Sequence, residues 1–163
     1  MKTRHYYDET TRWIEIKNQE GIQYMWDCFG GFDLARISKA SFTRGINWIN
    51  QNTQKTEHDG DVLTIEFDRT GLFPIKSYGI TPIAKRIEIV FSGLKRLNFV
   101  PIDVNGLDQI YGANMTISND GLIYWNTIVP YMDENRFNDK STWVCCEKVR
   151  WRMIDYYEEI VID

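Results

Sequence analysis

The stretch Asp61-Val62-Leu63-Thr64-Ile65-Glu66-Phe67-Asp68 decides the fold class. Successive side chains of a strand point to opposite faces, so Leu63, Ile65 and Phe67 line one face while Val62, Thr64, Glu66 and Asp68 line the other. A strand patterned in this way buries one side and wets the other, as strands of antiparallel sheets commonly do. The same period returns in Lys85 to Phe91, where Ile87, Ile89 and Phe91 share a face, and in Tyr111 to Ser118, where Tyr111, Ala113, Met115 and Ile117 do.

Turn signals separate these runs. Asp59-Gly60 marks a hairpin turn before the first of them, and Asn119-Asp120-Gly121 joins Tyr111 to Ser118 with a partner strand, Leu122 to Ile128. Arg12 to Ile16 reads as a short strand, and Phe32 to Trp48 as one long strand with a bulge or bend at Gly45. Ser92-Gly93 separates the Lys85 strand from a second short strand, Leu94 to Val100, which Pro101 ends because proline lacks the donor a ladder needs. Thr142 to Ile154 is a last strand. One helix precedes the sheet: after Asn18 as N-cap, Ile22, Met25, Trp26 and Phe29 recur at helical spacing, and Gly30-Gly31 stops the run. In the acidic tail Tyr156, Tyr157, Ile160 and Val161 recur at helical spacing and suggest a second helix. Residues 1 to 10 carry no period and are expected to fray. The segment from Arg69 to Pro82, broken by Gly71, Pro74 and Gly79, reads as a long connection and a candidate functional loop, and Asp133 to Lys140 as another loop. The expected fold is therefore mainly β, bordering on α+β. It is an antiparallel sheet of about seven or eight strands in a sandwich or partly closed barrel, with a short N-terminal helix and a C-terminal one, in a single domain over residues 1 to 163.

Composition narrows the function classes. A chain of 163 residues buries roughly 70% of its unfolded surface and needs no metal or disulfide to hold its core. Six Trp and nine Tyr supply large rings for that core or for an interface. A net charge of −4 and a pI near 5.2 argue against nucleic acid and anionic membrane as partners. Cys28, Cys145 and Cys146 show neither a disulfide framework nor a zinc spacing, and buried free thiols in a reducing compartment follow. With no apolar run of signal or membrane-spanning length, a cytoplasmic location is the expectation.

Two sets of residues carry enough chemistry to be weighed as sites. Lys148, Arg150 and Arg152 stand at alternate positions of the last strand, opposite Val149, Trp151 and Met153, and three cations on one face suit a phosphate or an acidic partner. A solvated outer face pairing with cross-strand carboxylates is the favoured account of them, and the stripe is the best of the candidate sites. Glu66 and Glu88 fall on the polar faces of two strands that pair if the order is simple, and paired carboxylates are what glycoside hydrolysis requires. Thr64, Arg86 and Asp68 share those faces, and an ordinary polar surface accommodates them all. His5 lies in the frayed end and His58 in a turn, with no nucleophile motif nearby. Cys145-Cys146 would point to opposite faces of a strand, so structural thiols are the reading there. Gly30-Gly31 lacks the strand and helix that a phosphate-binding loop needs.

Phe29-Gly30-Gly31-Phe32-Asp33-Leu34-Ala35-Arg36-Ile37, Gly121-Leu122-Ile123-Tyr124-Trp125 and the ending Trp143 to Ile154 together resemble a group of small bacterial β-rich proteins. In that group a glycine pair and an aromatic lead into the first long strand, and a Trp/Arg-rich strand closes the chain. Its members are often grouped with predicted immunity proteins of toxin systems. The resemblance runs from about Trp13 to Ile154, and where the group carries a His-Asp pair this chain has Asp33-Leu34. It implies a β-rich fold and a toxin-like protein partner.

The reading the sequence favours is a non-catalytic cytoplasmic binding protein, of the immunity type if the resemblance holds, with no cofactor and no metal. The alternative is a small-molecule-binding protein or enzyme with a site in the sheet mouth or under the 69 to 82 loop. Oligomeric state is left open.

Overall fold

In the computed structural model, residues 11–32, 35–45, 47–58, 60–69, 83–100, 110, 112–127 and 141–157 are described. The chain order is β1 (Ile14–Ile16), α1 (Gln19–Phe29), β2 (Arg36–Thr43), β3 (Asn47–Asn50), β4 (Lys55–His58), β5 (Val62–Asp68), β6 (Ile83–Asn98), β7 (Ala113–Ile117), β8 (Ile123–Thr127) and β9 (Trp143–Tyr157). Among the described residues, seven strands form one antiparallel sheet in the order β2-β5-β6-β9-β8-β7, with β1 also on β9; β3 and β4 make a separate hairpin. β9 is the spine. β6 lies along one of its edges, while on the other edge β8 pairs with Trp143 to Cys146 and β1 with Val149 to Trp151.

The alternation sorts the two faces. Leu63, Ile65, Phe67, Ile87, Ile89, Phe91, Val149, Trp151 and Met153 are buried together with Ile22, Met25, Cys28 and Phe29 of α1, which packs on this inner face. Its helix begins where the Asn18 carboxamide oxygen accepts from the Gly21 N–H at 2.9 Å and ends at Gly30, whose N–H reaches the Trp26 carbonyl and whose φ of 71° turns the chain so that the Gly31 N–H donates to the same carbonyl at 2.9 Å. Arg69, just past β5, donates to the Phe29 and Gly30 carbonyls at 2.5 and 2.7 Å and so sets a cation at the negative end of the helix.

The sheet curls and stays open. Neighbouring strands sit about 4.8 Å apart, so β5 and β8, with two strands between them, would be about 14 Å apart in a flat sheet. Yet the rings of Phe67 and Trp125 approach to 5.6 Å, with Phe32 between them at 4.9 and 6.1 Å. The Ile110 N–H donates to the Ala35 carbonyl at 2.8 Å, linking the segments that lead into the two edge strands, β7 and β2. The sheet is not closed into a barrel.

Several sequence expectations change. Phe32 to Trp48 is not one strand: β2 stops at Thr43 and Asn47 starts the hairpin with β4, which also puts His58 in a strand rather than a turn. Tyr156 and Tyr157 are strand, not helix, because they pair with Ala84 and Ile83. Leu94 does not begin a new strand. Instead β6 runs through Gly93, and the inward series Ile87, Ile89, Phe91 resumes at Leu94, a step of three, where β9 makes the same step from Val149 to Cys146. A phase slip matched on both partners keeps the ladder and the inner face together. Gly93 has φ +64°, and a Cβ there would lie 2.9 Å from the Glu147 Cβ; a Cβ on Gly60 would lie 2.6 Å from the Gly93 Cα. The fraying of residues 1 to 10, the 70 to 82 part of the connection, the Asp133 to Lys140 loop and the tail beyond Tyr157 lie outside the described residues.

Replacing Gly93 by alanine should cost on the order of 2 kcal/mol, backbone strain and collision together. Gly121→Ala is the reference, since Gly121 has φ +83° with nothing within 4 Å of the added Cβ, and strain alone, about 1 kcal/mol, applies there. Urea midpoints of the two variants measure the difference, and equal losses would mean that the Gly60-Gly93-Glu147 contact is not tight.

Candidate functional site

The outer face of the sheet, away from α1, carries the residues the sequence singles out. Register aligns them in rows across the strands: Arg36, Asp68, Arg86 and Asp155; then Lys39, Glu66, Glu88 and Arg152; then Ser41, Thr64, Val90, Arg150 and Glu15. The expected neighbourhood of Glu66 and Glu88 is real, since they are direct register partners on β5 and β6. Like charges directly opposite repel. Each is offset by a guanidinium: Glu66 Oε1 accepts from Arg86 Nη2 and from the Ser38 hydroxyl at 3.2 Å, and Glu88 Oε2 accepts from Arg152 Nη2 at 3.3 Å. The two carboxylates are charge-compensated members of a surface lattice.

The basic stripe divides. Arg152 belongs to that lattice, whereas Lys148 and Arg150 are exposed and, among the described residues, form no ion pair. Glu15 faces Arg150 in the register, but its carboxylate turns to Lys17 at 3.8 Å. Arg150 lies instead against the half-buried ring of Trp13, its guanidinium carbon 4.6 Å from the ring centroid, and Arg152 contacts the same ring at 4.6 Å. Sequence reasoning misses Trp13, although the signal is present: Ile14 and Ile16 pack toward the core, so the alternate phase, Trp13 and Glu15, belongs to the outer face.

All three cysteines are free and buried. Cys28 is pushed up to about 11 and Cys146 to about 12, in both cases chiefly by burial of the thiol. Folding therefore holds these protons above their ordinary value of 9.0. The associated stability is fully present below about pH 9 and is lost as pH rises through 11 and 12, with a slope of about 1.4 kcal/mol per pH unit for each thiol. Two results are expected: negligible reaction of the native chain with a thiol reagent at about pH 8, with three thiols released on unfolding, and a urea midpoint that falls between about pH 9 and 11. A midpoint flat across that range would mean that the thiols are not held protonated by the fold.

Arg69 is the one part of the Arg69 to Pro82 segment with a described role, as the helix cap. Among the described residues no group of three His, Cys, Asp or Glu side chains is placed to hold a metal ion, and no helix is long and apolar enough to cross a membrane. Comparison with family models, with curated proteins and with solved structures finds no match to this chain.

Proposed function

We propose that this chain is a non-catalytic cytoplasmic binding protein whose ligand is another protein. The observation that carries the reading is the division of the outer face. Glu66 and Glu88, the carboxylates best suited to chemistry, are engaged by Arg86 and Arg152, while Lys148 and Arg150 are presented to solvent, Arg150 against the half-buried ring of Trp13. An aromatic ring with an adjoining arginine is the residue pairing that anchors protein interfaces. Three buried free thiols fit a reducing compartment. The resemblance of the glycine-pair segment and of the closing strand to immunity-type proteins supports a toxin as the partner.

The purified chain serves as bait in lysate at two salt concentrations. A stoichiometric partner that is released more readily at high salt, and that arrests growth only when this chain is not co-expressed, is the expected result. No partner, together with thermal stabilisation by a small metabolite, would overturn it.

A further inference from the structure

We propose that Lys148, Arg150 and Trp13 form a docking site for an extended acidic segment of a partner protein, a specification that rests on the binding-protein reading above. The charge count on this face selects the ligand. Arg152 is answered by Glu88 and Glu15 by Lys17, so among the described residues Lys148 and Arg150 are the cations on the outer face of β9 that form no ion pair, in a chain whose net charge is −4. These two project from the same face of β9, two residues apart, a rise of about 6.6 Å. Carboxylates at alternate positions of an extended peptide have that same spacing, so one acidic strand laid along β9 meets both cations in register.

Trp13 supplies order. Its ring contacts the guanidinium groups of both Arg150 and Arg152, and Arg152 is itself tied to Glu88. The Arg150 head group is thereby held before a partner arrives, which lowers the entropy lost on binding. The net negative charge of the chain repels a long polyanion such as nucleic acid, whereas a short segment with two or three carboxylates meets the local patch alone.

The test uses the full chain, labelled with 15N, titrated with a synthetic peptide of about eight alternating threonine and glutamate residues, and with the same peptide carrying lysine for glutamate. The expected result is shifts at the Trp13 indole and at the amides around Lys148 and Arg150 with the acidic peptide only, weakened at about 0.5 M salt. The K148Q/R150Q variant should bind it roughly tenfold less well, while Lys39→Gln, at the other side of the same face, should bind as the parent chain does. Near-UV circular dichroism establishes that each variant is folded. Equal binding by parent and K148Q/R150Q, shifts gathered around Lys39, or no shifts at millimolar peptide would overturn the site. A partner captured equally well by both forms would likewise overturn the site while leaving the binding-protein reading intact.

Discussion

Ile65→Asp should abolish the folded state at room temperature, read as loss of the cooperative urea transition and of near-UV signal. Ile65 is fully buried at the centre of the inner face, between Ala40 on β2 and Ile89 on β6 in the register. A carboxylate in that position is surrounded by apolar side chains; of the cations near β5, Arg86 and Lys39 lie in the outer rows, and Arg69, on the helix side, is already engaged by the Phe29 and Gly30 carbonyls. An unpaired charge moved from water into an apolar interior costs at least several kcal/mol, comparable with the whole stability of a domain, about 5 to 15 kcal/mol. Thr64→Asp, one residue away on the outer face, should cost only about 1 kcal/mol, mainly through the weak strand preference of aspartate. The contrast tests the facing of β5. Similar transitions in the two variants would mean that the strand does not present Leu63, Ile65 and Phe67 to the core.

What the sequence disclosed, and what it withheld, divides along the range of the forces involved. α1 was legible to the residue because its start and stop are local: Asn18 caps the Gly21 N–H, and Gly30 takes the left-handed turn. The facing of β5, of the first half of β6 and of β9 was legible because a period of two is written into each run. A strand break at Gly93 is the natural local reading, because a glycine at positive φ ordinarily ends a strand. Here the partner strand slips by the same amount at Glu147, and no local pattern announces a matching slip more than fifty residues away. Tyr156 and Tyr157 have helical spacing, yet pairing with β6 outweighs it. At the site, the Glu66-Glu88 juxtaposition followed from facing and adjacency. The engagement of these carboxylates by Arg86 and Arg152 depends on register and on rotamers that sequence does not display.

Trp125→Ala should lower stability by about 3 to 5 kcal/mol, the usual cost of emptying a large aromatic site in a core. Trp125 is fully buried on β8, with ring centroids of Phe67, Phe91 and Phe32 at 5.6, 5.7 and 6.1 Å. Those three rings come from β5, from β6 and from the turn after α1, so this one side chain ties the far side of the curl to the near side. Its removal opens a void that the rigid, twisted sheet cannot close by moving a single strand. Trp125→Phe separates packing from polarity. The indole N–H is buried and finds no acceptor among the described residues, so the smaller ring gives up volume but also removes a buried donor that no protein group there satisfies. The phenylalanine variant should therefore lose no more than about half as much as the alanine variant, as measured by urea midpoints at constant slope. Equal losses would show that an aromatic ring of smaller size does not bridge the curled sheet, and that the full volume of the indole is needed there.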